Sequence, residues 1–292
     1  MTVARGRWRG EESIALAAEW GEVVVLPGRG AKIASLADRA GREWLAQPDG
    51  DLPAVDHSVA FADAEMCGWD EMAPTVRTKG MADHGDVWRT PWSVLDARDD
   101  AIALEVRTDR FTLRRTLTAV RDGFVLDYAA RSLEPGLPFL WMAHPQFRAD
   151  GATRVRVAPV PRTAARDERG RLVETSWDDT APALADVPRG AGRKLWFGVS
   201  ETAPTELGVH HADGAALTMS WTGPITAAAL WIDHCWRSRE PVVCPEPATS
   251  PGDDVEAAAA AGSALELSAD QWTEWTVAVK LGAGDPEEGG RS

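Results

Sequence analysis

Between Ala101 and Ser132 three runs, AIALEVRT, FTLRRTLTAV and FVLDYAARS, alternate apolar and polar residues with a period of two. Successive side chains of a strand point to opposite faces, so this period describes strands with one buried and one solvated face. The breaks at Thr108-Asp109-Arg110 and Arg121-Asp122-Gly123 are turn-forming, and the runs therefore fold back on one another as an antiparallel meander. Shorter strand-like runs recur along the chain: GEVVVL from Gly21, AKIASL from Ala31, LWFGVS from Leu195, then AALTMSW, AAALWID and WTEWTVAVKL. Only the alanine-rich stretch from Asp254 to Gly262 reads as a short helix or turn, with Asp253 or Asp254 as its N-cap. Many short strands and few helices predict an all-β fold, a large antiparallel β-sandwich. One domain over residues 1–281 is expected, with a disordered tail at 282–292.

Between the strands the chain is punctuated by polar segments. Residues 47–60 read as loop, and residues 161–194, the least apolar stretch, as a long loop or flap. The GRGA at Gly28–Ala31 lacks the third glycine of a dinucleotide-binding loop, and no helical pattern follows it. Gly30 is expected instead to let the backbone turn sharply from one strand to the next.

Composition sorts the function classes. The formal net charge of −14 disfavours nucleic acid, whose phosphates need a concentrated positive field. No apolar run reaches the length of a membrane span, and the basic start MTVARGRWRGEES has no apolar segment behind it. The expectation is a cytoplasmic protein, monomer or homodimer, with no membrane partner. Three cysteines (Cys67, Cys235, Cys244), without CxxC spacing, fit neither a disulfide framework nor a zinc site. His210-His211 has no carboxylate or third histidine at ligand spacing, so no metal is expected. The aromatic content is lopsided, 14 Trp against 6 Phe and 1 Tyr, and flat indole faces suit either sugar rings or a wide core.

Three stretches concentrate ionisable residues. In VVCPEPATSPGDD, Glu246 stands between Pro245 and Pro247, each of which fixes φ and lacks an N–H. That predicts an extended, stiff mount outside any central ladder strand; the other reading is an exposed glutamate in a proline-rich turn. The stretches from Met66 to Val76 and Asp83 to Trp92 look too polar and too broken by Gly and Pro for core strands. They nevertheless carry Trp69, Asp70, Glu71, His84, Trp88 and Trp92, which marks a candidate binding surface. His84, in an Asp-His-Gly turn, reads equally well as an exposed turn residue. In PFLWMAHPQF, His144 precedes a proline, which places it at a strand end; the other reading is a core histidine with a hydrogen-bond partner.

GRGAKIASL, GWDEMAPTV, DHGDVW, WMAHPQF and CPEPATSPGDD, in this order between Gly21 and Leu281, resemble the aldose 1-epimerase (galactose mutarotase-like) family, in particular its divergent branches. The resemblance implies a β-supersandwich with a sugar cleft on one concave face. It implies that Glu246 is the general base that takes the anomeric proton and His144 the general acid that protonates the ring oxygen. His84 matches a second histidine on the ring-oxygen side. Arg77, in TVRT, is the nearest counterpart of the family's arginine before the first histidine, without the asparagine beside it. Trp69, Trp88 or Trp231 would stack on the sugar, and Asp70, Glu71 or Asp233 would bond its hydroxyls. The implied partner is a small-molecule sugar, and no cofactor is needed. Two other readings stand beside the epimerase: a noncatalytic carbohydrate-binding or sugar-sensing protein, and a glycoside hydrolase or lyase using two carboxylates such as Glu71 with Glu246.

Overall fold

The alternating runs form the strands Ala101–Arg107, Phe111–Val120 and Gly123–Ser132, paired antiparallel in unbroken register. The computed structural model describes residues 1–54, 59–159, 163–166, 171–198 and 203–283. Ser93–Arg98 extends this meander on one side, and Thr273–Ala283 continues it on the other towards Ala215–Thr222, Glu206–His210 and Arg154–Ala158, completing an eight-stranded sheet. A second sheet has 12 strands. Its path runs from the N-terminal hairpin through Gly21–Leu26, Lys32–Asp38 and Trp69–Met72 to Met142–Pro145, then through Val242–Ala248, Ala227–Asp233 and Gly192–Phe197.

The two sheets pack face to face over one apolar cluster. Ile33, Trp69, Phe147 and Leu230 come from the larger sheet, and Leu104, Leu117, Phe124 and Val277 from the smaller. This is the antiparallel β-sandwich that the alternation predicts. One polar pin crosses the core. Glu71 of the larger sheet lies 2.8 Å from the Arg115 guanidinium of the smaller, both fully buried, and its carboxylate also accepts from Tyr128 Oη at 2.8 Å and Trp141 Nε1 at 2.9 Å. Gly30 makes the sharp strand-to-strand turn at φ 62°, where a Cβ would meet the Trp88 carbonyl oxygen at 2.0 Å. Asp254 caps the helix Val255–Ala260, accepting from the backbone N–H groups of Glu256 and Ala257. Among the described residues no helix is long and apolar enough to cross a membrane.

Four segments differ from the sequence expectation. The polar N-terminus forms two strands, Thr2–Trp8 and Glu11–Ala18, of which the first is a solvated edge strand carrying arginines. Trp69–Met72, expected as loop, is a buried strand inside the larger sheet. Val242–Ala248, expected outside any central ladder, pairs along its whole length with Ala227–Asp233. On its other side the ladder is made only at Val242, Val243 and Ala248, so both prolines fall where that ladder is interrupted and their missing N–H groups leave no bond unmade. Within 161–194, Thr163–Arg166 and Leu172–Thr175 form an edge hairpin that pairs with Gly192–Phe197. Gly282 and Ala283 continue the last strand; the rest of the expected tail lies outside the described residues.

Candidate active site

Strand alternation decides which side chains of the larger sheet face away from the sandwich core. On Met142–Pro145, Ala143 points into the core, and Met142 and His144 point outward. On Gly192–Phe197, Leu195 and Phe197 fill the core, which sends Lys194 and Trp196 outward. Glu246 lies opposite Ala229 on the neighbouring strand, on this same outer face. Loops carrying Phe61, His84, Trp236 and Asp253 close over it and leave a cavity of about 310 Å³. That volume is at the small end of the roughly 300–1,000 Å³ of small-molecule sites.

At its floor His144 Nε2 lies 3.3 Å from Glu246 Oε1, with His144 5% and Glu246 1% exposed. Lys194 Nζ lies 2.8 Å from Glu246 Oε2 and 2.9 Å from Asp253 Oδ1, above the Trp196 ring. The Phe61 ring stacks on His84 at 4.3 Å and meets His144 edge-on at 5.1 Å, so the two imidazoles stand 6.4 Å apart on one wall. His84 has φ 59°, a conformation uncommon outside glycine, and its Nδ1 lies 3.0 Å from Asp83 Oδ1. Asp83 accepts from the Phe61 N–H and, through its carbonyl, from Trp88 Nε1, which ties the Phe61 and His84 loops together.

The electrostatics follow from burial. Burial pushes the Glu246 carboxyl up to about 7, against the lowering effect of the Lys194 charge. Burial, with the His84 and Lys194 charges, holds His144 well below its ordinary value. Burial alone would lower Lys194, but Asp253 and Glu246 more than offset it and keep the ammonium charged. The His84 contact brings Asp83 down to about 2. A carboxyl and an imidazole with values displaced from the ordinary, in contact inside one cavity, can pass a proton between them and to a bound molecule. Among the described residues no group of three His, Cys, Asp or Glu side chains is placed to hold a metal ion.

Of the residues singled out in the sequence, Glu246, His144, His84, Arg77 and Trp231 line the cavity. Trp69, Asp70, Glu71, Trp88 and Asp233 do not. Trp69 and Glu71 take the core-facing positions of their strand, Glu71 with every carboxylate bond spent inside the sandwich. A pairing of Glu71 with Glu246 across a bond is thereby excluded. Asp70 faces outward but is fully buried against Lys32. Trp88 lies behind Phe61, edge-on at 5.1 Å. Asp233 accepts from the backbone N–H groups of Trp236, Arg237 and Ser238, and so shapes the loop that brings Trp236 and Arg237 to the cavity mouth.

Sequence reasoning missed Phe61, Lys194, Trp236 and Arg237, and took Asp253 only for a helix cap. Lys194 had a visible signal, a charge inside the KLWF run at the position that alternation turns away from the core. Phe61, in a polar loop, had none.

No family model and no curated protein matches the sequence. Solved structures do. A candidate aldose 1-epimerase from Escherichia coli K12 is 17% identical, over 92% of this chain and 98% of that one, with a TM-score of 0.71. A galactose mutarotase-like protein from Clostridium acetobutylicum is 13% identical over 96% and 98%, with a TM-score of 0.73. Another from Lactobacillus casei is 15% identical over 92% and 100%, with a TM-score of 0.70. The chain has the fold of the galactose mutarotase-like proteins.

Proposed function

We propose that this chain is a sugar 1-epimerase, interconverting the α and β anomers of an aldose by opening and closing its ring. The observation that carries the reading is the contact of His144 with Glu246 on the floor of the cavity, a proton donor and acceptor whose own side chains are buried from water. Glu246 takes the proton from the anomeric hydroxyl while His144 Nε2–H gives one to the ring oxygen. The C1–O5 bond breaks, its electron pair stays on O5, and C1 becomes an aldehyde. Rotation about C1–C2 presents the other face, and the reverse transfers close the ring. The pair ends with the protons it began with, so turnover needs no other reactant.

The active form holds one proton on the pair. With Glu246 raised to about 7 and His144 lowered, that proton resides mostly on Glu246, and the productive microstate has it on His144. That proton leaves as pH rises through about 7, so kcat/KM of the free enzyme falls on the alkaline side of that value. Lys194 supports the productive microstate by favouring ionised Glu246. His84 holds the ring-oxygen side, Trp231 and Trp236 offer indole faces at the mouth, and Arg77 lies on the same rim.

The test is anomer exchange on freshly dissolved α-aldoses, followed by polarimetry or NMR. Wild type should exceed the spontaneous rate on at least one sugar, with Glu246→Gln and His144→Asn losing about 10²–10⁴-fold. Binding of sugars with no acceleration across a broad panel would replace the epimerase by the noncatalytic sugar binder.

A further inference from the structure

Behind the cavity floor lies a second buried charge pair. Trp69–Met72 runs antiparallel to Met142–Pro145 in a register that sets Asp70 directly opposite His144. Opposed residues share a face of the sheet, with Cβ atoms about 4.5–5.5 Å apart. Both side chains are buried. Lys32 Nζ donates to Asp70 Oδ2 and, at 2.9 Å, to the Cys67 carbonyl, which fixes one edge of the carboxylate. Asp70 Oδ1 has no hydrogen-bond partner, and neither has His144 Nδ1. Two orphaned buried polar atoms of complementary type, on directly opposed residues, call for a common explanation, because a buried polar group without a partner loses its hydration with nothing in return.

We infer that Asp70, held by Lys32, is a positioning residue for His144: it accepts the hydrogen bond of Nδ1–H through one bridging water. The inference rests on the epimerase reading for its catalytic meaning. With the Nδ1 proton committed to Asp70, Nε2 is the nitrogen that exchanges a proton with Glu246 and with the sugar. The Asp70 charge also favours the imidazolium, the microstate that burial opposes. The charged and titratable groups around His144 are Glu246 and Lys194 on the neighbouring strands, His84 across Phe61, and Lys32 with Asp70 behind it. Of these carboxylates, Asp70 is the one behind the ring, away from the sugar. Burial raises it to about 6 against Lys32, so it is ionised at neutral pH.

The experiment uses the full chain labelled with ¹⁵N at histidine. In wild type the His144 shifts should report a protonated Nδ1 at neutral pH; a neutral ring protonated only at Nε2 overturns the inference without any variant. Asp70→Asn removes the charge, and Asp70→Asn with Lys32→Met also avoids an unpaired buried ammonium, so that one folded variant is available. Asp70→Asn should need a lower pH to form the His144 imidazolium; in the double variant the loss of the Lys32 charge, which opposes the imidazolium, offsets that shift. Both should lose kcat by about 10-fold or more, towards the 10²–10⁴-fold of the acid itself, with KM unchanged. Folded variants with wild-type kcat and wild-type His144 shifts refute the role. If the wild type accelerates no sugar, the epimerase reading fails, and the ¹⁵N shifts still decide whether Asp70 governs the His144 proton.

Discussion

Glu246→Gln should cost the activity and stabilise the fold, by an amount that depends on pH. Burial raises the Glu246 carboxyl from 4.5 to about 7, a net value that already includes the help of Lys194. Below 4.5 the side chain is protonated in both folded and unfolded chains, so the shift contributes no pH dependence there. Between 4.5 and about 7 the unfolded chain releases the proton and the folded chain keeps it, so stability falls as pH rises. Above about 7 the loss is complete: about 2.5 pKa units at 1.36 kcal/mol each, on the order of 3 kcal/mol. Glutamine resembles the protonated acid in shape and cannot ionise, so it escapes this loss. Thermal melts of both proteins from pH 4.5 to 8.5 provide the assay. The curves should meet near the acid end and separate steadily, the variant melting higher at pH 8 by several degrees, at about 2–4 °C per kcal/mol for a large domain. A variant that melts lower than wild type at pH 8, or a gap that is constant with pH, would refute the assignment of a buried, raised carboxyl to Glu246.

Three further perturbations test other parts of the account. Lys194→Met removes a charge 2.8 Å from Glu246, worth about 6 kcal/mol at an effective dielectric near 20 and so at most about four pKa units. Glu246 rises, and pH–rate profiles should show a lower plateau with the alkaline limb moved to higher pH; an unmoved limb would deny Lys194 its role. Gly192→Ala puts a methyl group where a Cβ would meet the Trp231 ring at 2.4 Å and the Trp236 ring at 2.9 Å. Steady-state kinetics should show KM raised with kcat little changed. Glu71→Ala leaves Arg115 buried and unpaired between the sheets, which should cost about 3–5 kcal/mol in denaturant unfolding.

The fold was legible wherever one strand face is wet. In 101–132 the solvated face writes the alternation into the sequence, and the turn residues mark the register. Trp69–Met72 gave no such signal because both of its faces are covered, one by the smaller sheet and the other by the cavity loops. Asp70 and Glu71 looked like loop polarity when they are two buried charges facing opposite sides. Thr2–Trp8 failed for the opposite reason: as an exposed edge strand it has no apolar face to show.

The site was legible in its chemistry and less so in its assembly. Glu246, His144 and His84 stood out as ionisable residues on stiff or turning backbone. Their meeting depends on the strand order that sets Met142–Pro145 beside Val242–Ala248, then Ala227–Asp233 and Gly192–Phe197 beyond. Local periodicity carries no information about that order. It therefore could not show that Lys194 reaches Glu246, nor that Asp70 stands behind His144 rather than in the cavity.

The most direct test of the central claim is the anomer exchange rate of α-aldoses with wild type, Glu246→Gln and His144→Asn side by side at pH 6.5. The account predicts acceleration by wild type on at least one sugar and its loss by about 10²–10⁴-fold in each variant. Equal rates for all three proteins, matching the spontaneous exchange on every sugar tried, would contradict it.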